Sequence, residues 1–147
     1  MTTPFPHHYE VKLSCRHQQG AELYAGDAPP ITGGAPREFG GRESWWSPEQ
    51  LLLSSLSLCF MTTFEAIAAK ARLQVLHCDC RATATLDRSE GGLGFTALGL
   101  HVEVEVGPAD AERVTKLPAS AKRHCLVANA LIPPVTLDVT VITSAAA

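Results

Sequence analysis

Thiols are the side chains of this sequence best equipped for chemistry. Five cysteines stand among 147 residues, at positions 15, 59, 78, 80 and 125. A cysteine attacks through its thiolate, and an unperturbed thiol, with a pKa of about 8.5, is only a few per cent ionised at neutral pH. Cys59 lies in SPEQLLLSSLSLCFMTTFEAIAAKARL, where no residue from Leu51 to Phe64 carries a formal charge. Cys125 lies in AKRHCLVANAL, directly after Arg123 and His124. Neither belongs to a C-x-x-C or zinc-type spacing. An odd cysteine count in a chain of cytosolic character argues against a disulfide framework and leaves thiols that are buried or reactive. Spacing alone favours buried small residues. Cys78 and Cys80, two apart on one predicted strand face, read that way, as does Cys15 on the first strand. His7 and His8 receive no role.

The element that must position Cys59 has its start written out. Ser47 is an N-cap, Pro48 suits the first helical position, and Gln50 completes a capping box. Trp46 and Leu51 are spaced for a hydrophobic staple. The spacing predicts a helix from about Pro48 to Leu73, apolar on nearly every side, and therefore buried in a core or between subunits. A membrane span needs about 20 apolar residues; the uncharged run is shorter, and Glu65, Lys70 and Arg72 follow it, so a central helix of a soluble protein is expected. Alternation predicts a half-buried strand over residues 9–15, and AELYA a returning one. A Gly- and Pro-rich loop with a short strand near Ile31 leads to the helix. Strands over Val75–Leu86 and Phe95–Val106 flank the turn SEGGLG. Residues 109–131 read as helical with an interruption at Pro118, and Val135–Val141 as a closing strand. Antiparallel sheet with segregated helices makes the fold class α+β, and nothing divides residues 1–147 into separate domains. A net charge of -3 without a basic stripe argues against nucleic acid. MTTPFPHHYEV has no signal-peptide pattern, so a cytoplasmic location is expected, with no membrane partner.

Two stretches then resemble a known family. SPEQLLLSSLSLCF, with its cysteine ten positions after Glu49, and AKRHCLVANAL followed by VTLDVTV are similar to the two cysteine motifs and closing strand of the OsmC/Ohr family of thiol-dependent hydroperoxide reductases. The similarity covers most of the chain, and the two motifs in this order are specific. One departure is Leu126, where the family usually has proline. The resemblance implies antiparallel sheets around a long central helix in an intertwined homodimer. It implies that Cys59 attacks the peroxide, that Cys125 resolves the sulfenic acid as a disulfide, and that an external dithiol, a lipoyl group in Ohr-type members, reduces it. It aligns Arg16 in SCRHQQG with the family's arginine, keeps Arg37 in reserve, and matches Glu49 to the acid that holds the guanidinium. No cofactor and no metal are implied.

Thiol chemistry is consistent with such a set. An apolar helix interior disfavours the thiolate, and Cys59 is too far from the helix N-terminus for the dipole to help. An adjacent guanidinium lowers a thiol pKa by about 1–3 units and can donate to the peroxide oxygen. Glu49 and Cys59 are separated by about 15 Å along one helix, pointing in different directions, so one arginine can hardly reach both within a chain. Two copies across a two-fold axis would solve this, with Cys59 meeting the partner's arginine and acid. Phe39, Trp45, Trp46, Phe60 and Phe64 would favour an organic hydroperoxide. Two other readings stay open: a non-turnover redox sensor or carrier of a small apolar ligand, and a structural domain with inert thiols.

Overall fold

The computed structural model describes residues 3–145. The chain divides between Leu51 and Leu52 into two compact units. The first holds an antiparallel sheet in the order β1 (Lys12–Cys15), β2 (Ala21–Tyr24), β3 (Ile31–Gly33). Gln19 N–H donates to the Arg16 carbonyl at 3.0 Å to close the first turn, with Gln18 at φ 61° and Gly20 at φ 76°. Glycine is required at position 20 twice over, since a Cβ there would also stand 3.0 Å from the Trp45 ring. The first strand is shorter than alternation predicts. Tyr9 and Val11 precede it and are exposed, and all of β1 is exposed, so Cys15 is a surface thiol and not a core one. Alternation states which residues share a face; it does not state that the same chain covers that face. Among residues 3–51 only Gly33 and Ser47 are buried.

The loop after β3 is pinned just before the long helix. Trp46 N–H donates to the Thr32 carbonyl at 3.0 Å, and Gly34 N–H donates to the Trp46 carbonyl at 2.9 Å. Helix α1 (Pro48–Lys70) then opens with the expected capping box. Ser47 N–H donates to Gln50 Oε1 at 3.0 Å, and Gln50 N–H donates to Ser47 Oγ at 3.2 Å. At the other end Arg72 takes φ 52°, Leu73 N–H donates to the Ala68 carbonyl, and Arg72 N–H donates to the Ala69 carbonyl. This Schellman-type ending stops the helix short of Leu73.

Leu56, Phe60, Phe64 and Ala68 form the buried stripe of α1, at a spacing of four residues, while Leu58 is 58 % exposed. By length and composition alone the helix could cross a membrane, so the length of its uncharged run does not decide the matter. Its stripe, however, joins the core of the second unit. Four hydroxyls of α1, on Ser55, Ser57, Thr62 and Thr63, donate back to its own backbone, Ser57 to the Leu53 carbonyl and Thr63 to the Cys59 carbonyl among them.

The sheet of the second unit runs in the order β4 (Val75–Ser89), β5 (Gly92–Val106), β6 (Val135–Thr143). In the central strand Leu98, Leu100, Val102, Val104 and Val106 are buried, one face of a period-two pattern. β4 and β5 pair antiparallel, as expected. β6 pairs parallel to β5, which an all-antiparallel expectation misses. The cause is the connection: residues 108–130 carry a 3-10 turn, α2 (Ala111–Val114), α3 (Leu117–His124) and α4 (Leu126–Ala130), a crossover that returns the chain in the same direction. Pro118 sits in the first turn of α3, where its missing N–H costs nothing. The fold class is α+β.

Candidate active site

Cys59 and Cys125 come together in the second unit. Cys59 is carried by α1 beside the buried Phe60 and is half-buried against the core that encloses Cys125. Cys125 has no solvent exposure. The sequence pattern suggested a helix running through it. Instead Cys125 takes φ -71° and ψ 110°, ending α3 and preceding α4. Burial is the main reason its thiol pKa is pushed up. The amides of Ala128 and Val127 pull the other way, and Cys59 lies close enough for the two thiols to interact and raise Cys125 further. Leu126 occupies the first position of α4, the one at which proline is favoured, and its side chain is exposed. The departure from the expected proline therefore leaves the break at Cys125 in place.

The other expected site residues lie in the first unit. Arg16 is exposed and lines a cavity of about 470 Å³ with Ser14, Gln19, Glu22, Tyr24 and Thr32. The Tyr24 hydroxyl donates to the Glu22 carboxylate, which raises the Tyr24 pKa, while the Arg16 charge opposes that rise. Arg37, the reserve, forms an exposed ion pair with Glu43. Glu49 Oε2 is buried and has no hydrogen-bond partner among the described residues. No ion pair joins Glu49 to Arg16 or Arg37 among those residues. A buried carboxylate oxygen left unmatched is costly, so this position calls for a donor.

One expectation about surroundings changes. Phe60 and Phe64 do not line an open site: both rings are fully buried, stacked with centroids 6.2 Å apart. They are large and apolar, and the core takes them. Cys78 and Cys80 are half-buried on the core side of β4, as their spacing implies. What spacing does not reveal is their neighbour. Burial pushes the Cys80 thiol up to about 11, helped by the charges of Cys78 and Cys125. Burial likewise raises Cys78, with Asp79 and Glu65 adding to it. Among the described residues no group of three or more His, Cys, Asp or Glu side chains could hold a metal ion.

A family model described as OsmC-like protein matches residues 41–140, a span holding Glu49, Cys59 and Cys125. The chain belongs to the OsmC family. Peroxiredoxin OsmC of Escherichia coli (strain K12) is 28% identical over 96 residues, 65% of this chain and 67% of that protein. Solved OsmC-like structures share the fold. One from Vibrio cholerae has a TM-score of 0.84 at 18% identity, covering 92% of this chain and 100% of that one. One from Mycoplasma pneumoniae has a TM-score of 0.79 at 16% identity, covering 94% and 99%. An organic hydroperoxide resistance protein OsmC from Legionella pneumophila has a TM-score of 0.69 at 19% identity, covering 94% and 98%. Arg16 lies outside the span matched by the OsmC family model.

Proposed function

We propose that this OsmC-family chain is a cysteine-based peroxidase that reduces organic hydroperoxides. The observation that carries the reading is the meeting of Cys59 and Cys125 in one core, close enough for the two thiols to interact. The Cys59 thiolate attacks one peroxide oxygen, the O–O bond breaks, and the alcohol leaves with a proton, giving Cys59 sulfenic acid. The Cys125 thiol condenses with it, releasing water and forming the Cys59–Cys125 disulfide. An external dithiol, with a lipoyl group as the candidate, returns both thiols and is itself oxidised. The cycle uses no cofactor and no metal, and it runs in the cytoplasm. The names peroxiredoxin and organic hydroperoxide resistance protein among the relatives support the substrate class.

Arg16 is the cation that stabilises the Cys59 thiolate, and Glu49 holds its guanidinium through a bidentate pair. The unmatched Glu49 oxygen supports that role, and the uncovered apolar surface of α1 supports a homodimer in which each site draws on both chains. Residues 1–147 act as one domain in that dimer. The test is peroxide consumption with dihydrolipoamide as reductant. Cys59→Ser should abolish turnover and leave the circular dichroism spectrum unchanged. Cys125→Ser should allow one oxidation and then stall as Cys59 overoxidises. A wild type that takes up one equivalent of cumene hydroperoxide and never cycles is a redox sensor and not a peroxidase.

A further inference from the structure

The core around Cys125 holds more sulfur than the proposed cycle uses. Cys78 and Cys80 alternate with Asp79 on β4, so both turn to the core side of the sheet, where Cys80 pairs across to the buried Val102. Cys59, Cys78 and Cys80 all pack against the same buried cluster, and Cys125 is a member of it. Cys125 also takes an extended backbone between two helices, its N–H donating to the Lys122 carbonyl at 3.2 Å and its carbonyl accepting from Asn129 N–H at 3.1 Å. The two β4 thiols are poorly placed to bridge each other, because side chains two apart on a strand diverge beyond the narrow Cβ separation a disulfide needs. Cys80 comes from a different element than Cys125 and packs against the buried cluster to which Cys125 belongs, near enough for the Cys125 charge to act on it.

We propose that Cys80 is a third redox thiol, which exchanges with the Cys59–Cys125 disulfide to give Cys80–Cys125 and return Cys59 as a free thiol. The inference rests on the peroxidase reading, which supplies the first disulfide. The step balances without any further oxidant. The Cys80 sulfur, having given up its proton, attacks Cys125 Sγ; the S–S bond to Cys59 breaks; the Cys59 thiolate leaves and takes up the proton.

The chemistry gives the exchange a direction. On the peroxidase reading, in which Arg16 stabilises the Cys59 thiolate, Cys59 is the better leaving group of the two sulfurs. Cys80, whose burial and thiol neighbours hold its pKa at about 11, gains more by ending in a disulfide than by remaining available as a thiolate. The same raised pKa makes the exchange slow at neutral pH and faster in alkali. Peroxide chemistry at Cys59 therefore precedes it. A molecule that has exchanged presents a reduced Cys59 to a second peroxide before any external dithiol arrives.

The test follows disulfides in the full chain. Protein is oxidised with one equivalent of cumene hydroperoxide, then sampled over time at pH 7, 8 and 9. Samples are acid-quenched, alkylated, digested and mapped by mass spectrometry. The expected result is Cys59–Cys125 first, then Cys80–Cys125 with alkylated Cys59, the conversion accelerating about tenfold per pH unit below the Cys80 pKa. Cys80→Ala should stop at Cys59–Cys125, while Cys78→Ala should still convert. Persistence of Cys59–Cys125 at pH 9, with Cys80 alkylated on unfolding, overturns the exchange and leaves the peroxidase reading standing. Absence of any Cys59–Cys125 disulfide overturns both.

Discussion

The two sheets of this chain are built from similar alternating sequences and end in opposite conditions. In β4–β6 the central strand carries five apolar residues that are all closed to solvent, joined by the stripe on α1. In β1–β3 every residue of the first strand is exposed, and no apolar side chain among residues 3–51 is buried. The first sheet holds its shape through backbone pairing, a turn with two positive-φ residues, and glycines that make room for Trp45. The second holds its shape by burial. The chemistry divides along the same line. The interacting thiols lie where packing fixes them, whereas Arg16 and the unmatched Glu49 oxygen lie where the chain leaves surface and valence unsatisfied. On the proposed reading a second copy satisfies both.

The largest effect should come from separating the two contributions. Cys59→Ser and Arg16→Ala should each be nearly inactive; loss of a charged donor at a reacting centre costs about 10²–10³-fold in rate. Unfolded together and refolded as mixed dimers, the pair should regain activity, because one of the two sites then has Cys59 from one chain and Arg16 from the other. Mixed dimers that form and stay inactive would place Arg16 in the same chain as the thiol it serves.

The contrast in burial has its own test. Phe64→Ala removes a fully buried ring from the second unit and should destabilise by about 3–5 kcal/mol in urea unfolding. Leu13→Ala, on the exposed first strand, should cost under about 0.5 kcal/mol if that surface stays in water. If a second copy covers it, the cost should approach a core value and the urea midpoint should rise with protein concentration. A midpoint independent of concentration, with Leu13→Ala silent, would leave the first sheet uncovered.

Alkali probes the buried thiols of the second unit. Burial lifts the Cys80 pKa to about 11, well above the ordinary thiol value. The unfolded chain then loses this proton first, so stability is intact below about pH 9 and declines as pH rises through the Cys80 value. Cys80→Ala should flatten that decline in urea titrations at successive pH values. An equally steep decline in the variant would assign it to other groups.

Much of this was legible before the structure. The capping box at Ser47 and Gln50, the inward face of β5 and the interruption at Pro118 follow from local rules of spacing and backbone chemistry, and such rules act within a few residues. What was not legible depends on partners distant in sequence. The parallel pairing of β6 follows from the path of the crossover, and the extended backbone at Cys125 from the end of α3 above it. The exposure of Cys15 depends on what covers β1. Cys59 and Cys125 could be singled out only by their resemblance to the family, because spacing does not distinguish a reactive thiol from a buried one. The packing of Cys80 against the cluster that encloses Cys125 had no signal in the sequence at all.

The smallest effect lies at the joint of the two regions. Ser47 is 4 % exposed and closes the first unit, while the helix it caps carries the buried stripe of the second. Its hydroxyl accepts from Gln50 N–H, and its own N–H is taken by Gln50 Oε1. Ser47→Ala removes the first bond and leaves the second, so it should cost about 1 kcal/mol. For a chain of this size that is a fall of roughly 2–4 °C in Tm. Gln50→Ala removes the other half and should cost less, because the Ser47 hydroxyl still caps the helix. Ser47→Thr should restore most of the loss, since threonine carries the same hydroxyl. A Ser47→Ala variant as stable as wild type would mean that the backbone bonds of Trp46 to Thr32 and Gly34 hold the helix entry without the cap.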